Sequence, residues 1–85
     1  MKRNWLVTFR SVTYAQRGQR LLEGIGLDCS LRRTPRELSQ RGCGYCLAVR
    51  GQDAMAAVAL LREKEVPFGK VYAQTVSGTM EEREL

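Results

Sequence analysis

The stretch Leu27-Asp-Cys-Ser-Leu-Arg-Arg33, Thr34-Pro-Arg-Glu-Leu-Ser-Gln-Arg-Gly-Cys43-Gly-Tyr-Cys46, Leu47-Ala-Val-Arg50 decides the fold. Leu27 to Arg33 is predicted as one strand and Cys46 to Arg50 as the next. Between them, Thr34 at a cap, Pro35 at a first helical position and Glu37 at the third make a capping box. A short helical turn is therefore expected from Pro35 to about Gln40. Gly42 and Gly44 then bracket Cys43 in a loop of high backbone freedom.

Working outward, Trp5 to Phe9 reads as an earlier strand. Ser11 is a fitting N-cap for the helix after it. Tyr14, Gly18, Leu21, Leu22 and Ile25 recur at helical spacing as one apolar face, and Gly24 and Gly26 stop the helix. On the other side, Gly51 to Asp53 is a turn with Asp53 as N-cap. Ala54 to about Glu65 is an amphipathic helix with Met55, Val58 and Leu61 inward, ended by Val66-Pro67. Phe68 to Val76 is the last strand, and the polar remainder from Ser77 is expected to fray.

The order is β-α-β-β-α-β. With right-handed crossovers, it predicts an α+β, ferredoxin-like sandwich: a four-stranded antiparallel sheet with two helices on one face. The expected division is one domain over residues 1–76 and an acidic tail over 77–85.

Composition narrows the function. A hydrophobic share of 44% and a charged share of 27% are those of an ordinary soluble domain. No apolar run approaches the roughly 18 residues of a membrane span. Without a signal-like leader, the expected compartment is the cytosol, where thiols stay reduced. There is no histidine, so Ser-His, Cys-His and His-metal arrangements are excluded. The net charge of +5 suits an anionic partner.

Three cysteines, two of them in a C-x-x-C, are not a secreted disulfide framework. Cys43 is flanked by glycines, with Arg41 two residues away and Arg36 on the preceding turn. Arg32 and Arg33 end the strand that feeds the loop. Positive charge favours the thiolate, the reactive form. Cys43 is thus the expected nucleophile, Cys46 the second thiol, and Arg36 and Arg41 the supporting cations. A thioredoxin-type site is disfavoured because this motif runs into a strand rather than opening a helix. No cofactor is expected. A metal would find only Cys43 and Cys46, so a closed site would need two copies of the pair across a dimer. If Thr34 faces Cys46, then Cys29 lies opposite about residue 51, roughly 16 Å away. A disulfide needs Cα atoms within about 7 Å. Cys29 is therefore read as a small apolar side chain.

These residues resemble a bacterial family of small proteins of unknown function labelled selenium/sulfur carrier-like. The resemblance lies in Thr8-Phe9 followed by Ser11, and in Ala15 through Leu22 leading to Gly26. Most specifically, it lies in Pro35-Arg36-Glu37-Leu38-Ser39 followed by Cys43-Gly44 and Leu47-Ala48-Val49-Arg50. It covers roughly residues 4 to 75. It implies a carrier that holds sulfur or selenium on Cys43 as a persulfide or perselenide and exchanges it with donor and acceptor proteins. The Cys-Pro-x-Pro motif of better-understood sulfur carriers is absent.

Two other readings stay open. An RNA- or nucleotide-binding module would stack bases on Trp5 and Phe9, which share a face of the first strand. The third strand, however, has no aromatic. An adaptor or redox-switch module would pair through an open sheet face, as a homodimer for example. Lys70 and Tyr72 would then alternate on a partly exposed strand.

Overall fold

The computed structural model describes residues 4–36, 38 and 44–84. At its centre β1 (Asn4–Phe9) pairs antiparallel with β3 (Tyr45–Arg50) over six residues, from Asn4↔Arg50 to Phe9↔Tyr45. β2 (Cys29–Arg33) flanks β3, and β4 (Val71–Gln74) flanks β1. A further strand, β5 (Met80–Arg83), pairs antiparallel with β4. The sheet has five antiparallel strands in the order β2-β3-β1-β4-β5. α1 (Val12–Gly24) connects β1 to β2, and a 3-10 turn plus α2 (Ala54–Glu63) connects β3 to β4.

The α+β class agrees with the sequence reading, but the number of strands does not. The segment from Ser77 was expected to fray. Instead Thr75 and Thr79 close a tight turn, with Thr75 N–H donating to Thr79 C=O at 2.7 Å and their hydroxyls 2.7 Å apart. The chain then returns along β4. Met80 packs against the cluster formed by Leu6, Cys46, Ala48 and Tyr72, which holds down a strand whose other side chains are charged.

Alternation along the strands divides the apolar residues between two faces. Val7, Phe9, Leu47, Val49 and Val71 point to the helices and meet Ala15 and Leu22 of α1 and Ala57, Val58 and Leu61 of α2. Leu22, Leu47 and Leu61 are wholly buried, and each contributes about 2 kcal/mol. On the other face Leu6, Cys46, Ala48 and Tyr72 form a smaller cluster, with Leu38 and Met80 against it. Tyr72 is therefore buried rather than partly exposed, while Lys70 remains at the surface. The sheet face expected to be open has an apolar centre already shielded within one chain.

The helix faces also shift. In α2 the buried stripe is Ala54, Ala57, Val58 and Leu61, an i, i+3, i+4, i+7 pattern, and Met55 is 73% exposed rather than inward. Ile25 lies beyond the end of α1 and is exposed, and Tyr14 is exposed on its first turn. Ser11 caps α1, its hydroxyl accepting from Tyr14 N–H at 3.4 Å. Asp53 precedes α2 without a side-chain capping bond. Gly18 sits where a Cβ would come within 3.1 Å of Leu61, 3.2 Å of Phe9 and 3.3 Å of Leu47. The absent methyl lets α1 close on both α2 and the sheet.

Both helices end the same way. Leu27 N–H reaches back to Leu22 C=O at 3.0 Å and Gly26 N–H to Glu23 C=O at 3.0 Å. In α2 the matching bonds run from Val66 to Leu61 at 2.9 Å and from Glu65 to Arg62 at 3.1 Å. Each is the pattern in which one residue past the helix turns left-handed. Gly26 does so at φ +81°, whereas Glu65 does so at φ 56° with a side chain. Replacing Glu65→Gly is expected to raise the unfolding free energy by about 1 kcal/mol, read by urea denaturation. Deleting residues 77–85 is expected to lower it by roughly 2 kcal/mol, because β5 and the Met80 contact go with them. A tail that merely frayed would leave the urea midpoint unchanged.

Candidate functional site

The site is organised by where β2 and β3 come together. Their register pairs Cys29 with Val49, Leu31 with Leu47 and Arg32 with Cys46. Thr34 continues the ladder by donating its N–H to Gly44 C=O at 3.1 Å. The expected register, with Thr34 opposite Cys46, is thus displaced by two residues. The displacement arises because pairing extends outward to Gly44 and β3 begins at Tyr45.

This register brings the candidate residues to one end of the sheet, but not all of them are described. Thr34, Pro35, Arg36, Gly44 and Cys46 are placed. Glu37, Arg41, Gly42 and Cys43 lie outside the described residues, as does half of the expected helical turn from Pro35 to Gln40. Its beginning is seen in the bond from Leu38 N–H to Pro35 C=O, 3.0 Å. Gly44, next in the chain after Cys43, has φ +139°, a conformation side-chain-bearing residues rarely adopt. A Cβ there would stand 3.5 Å from the Thr34 hydroxyl and 3.6 Å from Phe9 C=O. Gly44 is therefore the point where the loop turns into β3, against the end of β1.

Cys46 is 1% exposed, on the face away from the helices. Its Sγ lies 3.9 Å from Arg33 C=O, to which the thiol donates. Burial pushes its pKa above the ordinary value, because a thiolate loses its solvation there. The Thr34 hydroxyl and the Arg32 charge oppose that push without overcoming it. The Thr34 hydroxyl oxygen is itself buried and, among the described residues, has no hydrogen bond of ordinary geometry, so its help to the thiol is a matter of nearness. Unpartnered buried hydroxyls are uncommon, and this one sits between the loop and Cys46.

Cys29 occupies the opposite face. Three residues of ladder separate its partner Val49 from Cys46, and its side chain packs beside the helix-side core. Its Sγ lies 3.9 Å from Gln19 C=O. Burial, with Glu23 and Asp28 nearby, pushes its pKa up to about 11. Reading it as a small apolar side chain agrees with this position. Both described cysteines are free thiols. Among the described residues, no three His, Cys, Asp or Glu side chains gather to hold a metal ion, and no helix is long and apolar enough to cross a membrane.

The aromatic pair that base stacking would use is built into the core. Phe9 is buried beneath α1, and Trp5 is partly buried against the same cluster. A shallow cleft of about 370 Å³ runs along the β2–β3 edge, lined among others by Asn4, Asp28, Ser30, Arg32 and Arg50. It bears the Asp28–Arg50 ion pair, 3.3 Å, and does not include Cys46.

Two residues at this site were not singled out by the sequence. Leu38 covers the face on which Cys46 lies, a role that reading its segment as a short helical turn does not give it. Arg10 follows β1 and comes to the loop end only because β1, not β2's other edge, lies beside β3. No local signal in the chain announces that neighbour.

The raised thiol pKa values set a pH dependence. A thiol ionises more easily in the unfolded chain, so its burial stabilises the fold fully below about pH 9. For Cys29 that contribution is lost as pH rises from about 9 toward about 11. Urea denaturation of the wild type is therefore expected to show a steeper loss of stability over this range than that of Cys29→Ala. Parallel curves would show that Cys29 is not shielded.

Compared with known families, residues 4–73 match the family described as "Putative Se/S carrier protein-like". Neither the curated proteins nor the solved structures gave a match.

Proposed function

For a chain that belongs to this Se/S carrier-like family, we propose that the protein accepts a sulfur or selenium atom on Cys43 and passes it to an acceptor protein. The observation that carries the reading is the state of the other two cysteines. Burial keeps Cys29 and Cys46 as thiols, so Cys43 is left to supply a thiolate. Arg36 and Arg41 are assigned as the supporting cations that receive the anionic donor. Gly42 and Gly44 are assigned as supporting residues, and Thr34, Pro35 and Glu37 as the start of the same segment.

The transfer needs no oxidant when the donor is a persulfide. The Cys43 thiolate attacks the outer sulfur of R–S–SH. The S–S bond of the donor breaks, Cys43–S–SH forms, and RS⁻ leaves. A perselenide donor, R–S–SeH, reacts in the same way. Delivery repeats the exchange: an acceptor thiolate attacks the outer sulfur of Cys43–S–SH, the S–S bond breaks, the acceptor persulfide forms and the Cys43 thiolate leaves. Cys46 acts as the second thiol when no acceptor is present: after losing its proton to solvent it attacks the inner sulfur, the pair closes as a disulfide and HS⁻ leaves. Cytoplasmic reductants then reopen the pair.

The fold reading that accompanies this is ferredoxin-like. The strand order β2-β3-β1-β4 with two connecting helices supports that reading, with β5 as an addition at the β4 edge.

Intact mass after exposure to a persulfide donor tests the assignment. The wild type is expected to gain one reducible sulfur atom, and Cys46→Ser to retain it longer. Cys43→Ser is expected to gain none. Loading of Cys43→Ser as complete as that of the wild type would end the carrier assignment.

A further inference from the structure

The end of the sheet that holds the loop is also where the chain concentrates exposed positive charge. β1 ends at Phe9, opposite Tyr45, which is opposite Arg33. Two strand spacings, about 10 Å, therefore span from the end of β1 to the end of β2. Arg10 follows the first, Arg32 and Arg33 close the second, and Arg36 follows on the loop. All four are exposed.

These arginines are distinguished by what they are not paired with. Among the described residues the ion pairs are Arg50–Asp28, Lys70–Glu82 and Arg83–Glu81, and none involves the four. Asp28 precedes the far end of β2 and meets Arg50 there. The glutamates of β5 lie on the opposite edge of the sheet, four strand spacings or roughly 19 Å from β2. The first turn of α1, which starts at the same end, contains no acidic residue.

We infer that Arg10, Arg32, Arg33 and Arg36 form a docking rim for an acidic protein surface, which brings donor or acceptor to the loop. The arrangement fits an extended partner better than a small anion. Arg32 and Arg33 alternate to opposite faces of β2, so the four side chains are spread over both faces of this end of the sheet rather than converging on a point. Carboxylates spread over a protein surface can each meet one guanidinium, in a geometry that suits arginine. The rim fits a protein better than RNA because the aromatics of β1 are turned into the core and unable to stack with bases. Such rim charges act chiefly on encounter rate and partner choice, and they weaken with salt.

The inference rests on the carrier reading only for why a partner comes to this end of the sheet. Its test uses unloaded protein, so binding and sulfur loading fail or succeed separately. Fluorescein-labelled decaglutamate is titrated with the full chain at low salt and followed by anisotropy, beside labelled oligouridylate and competing inorganic phosphate. The variant Arg10→Gln/Arg33→Gln/Arg36→Gln is compared with Arg17→Gln/Arg20→Gln/Lys64→Gln, which removes the same charge from exposed positions on or just past the helices. The rim variant is expected to lose about tenfold in decaglutamate affinity and the control variant no more than about twofold. Equal losses would overturn the rim in favour of diffuse net charge. Displacement by millimolar phosphate would overturn it in favour of a small-anion site. Tighter, rim-dependent binding of oligouridylate would make it a nucleic-acid surface instead.

Discussion

The ladder between β1 and β3 is the constraint on which the rest depends. It is the longest pairing in the sheet, and both strands are interior. Six registered pairs fix which residues face the helices and which face away, since a slip of one would exchange the two sets. With that register, Leu47 and Val49 join Val7 and Phe9 under the helices, while Cys46 and Ala48 join Leu6 on the other side. The same pairing sets Phe9, Tyr45 and Arg33 in a row, so the loop between β2 and β3 opens beside the start of α1.

Burial and charge act in opposite directions at this end of the molecule. The described thiols are held neutral by the loss of solvent, even with Arg32 across from Cys46. The arginines around the loop remain in water, where their influence on a nearby anion depends on solvent exposure and ionic strength. The proposed carrier thiol and the buried one are three positions apart in sequence. What separates them is the change from loop to strand at Gly44 and Tyr45. Beyond that point alternation sends Cys46 into an apolar cluster.

Much of the architecture was legible because its signals are local. Ser11 marks the start of α1, Gly26 its end, and the β-branched and aromatic runs mark the inner strands. The hidden parts depend on partners distant in sequence. Met80-Glu-Glu-Arg83 carries three charges in four residues and resembles a solvated tail, yet it pairs with β4 because Met80 finds Tyr72. Met55 looked inward on hydrophobicity alone, but the alanines beside it pack closer to the sheet and turn it outward. Of the site, the loop's limits and its arginines were visible in the chain. The contribution of β1's end was not, because it follows from strand order rather than from spacing.

Gly18 has a consequence for how sequences of this fold can vary. The space above it is shared by Leu61 of α2, Phe9 of β1 and Leu47 of β3, each little more than 3 Å from where a methyl would be. The four positions behave as one fixed volume contributed by four elements. A relative with alanine at position 18 should carry a smaller residue at 47 or 61, and one that keeps glycine is free to keep both leucines. Substitutions there are thus coupled from the first strand to the second helix.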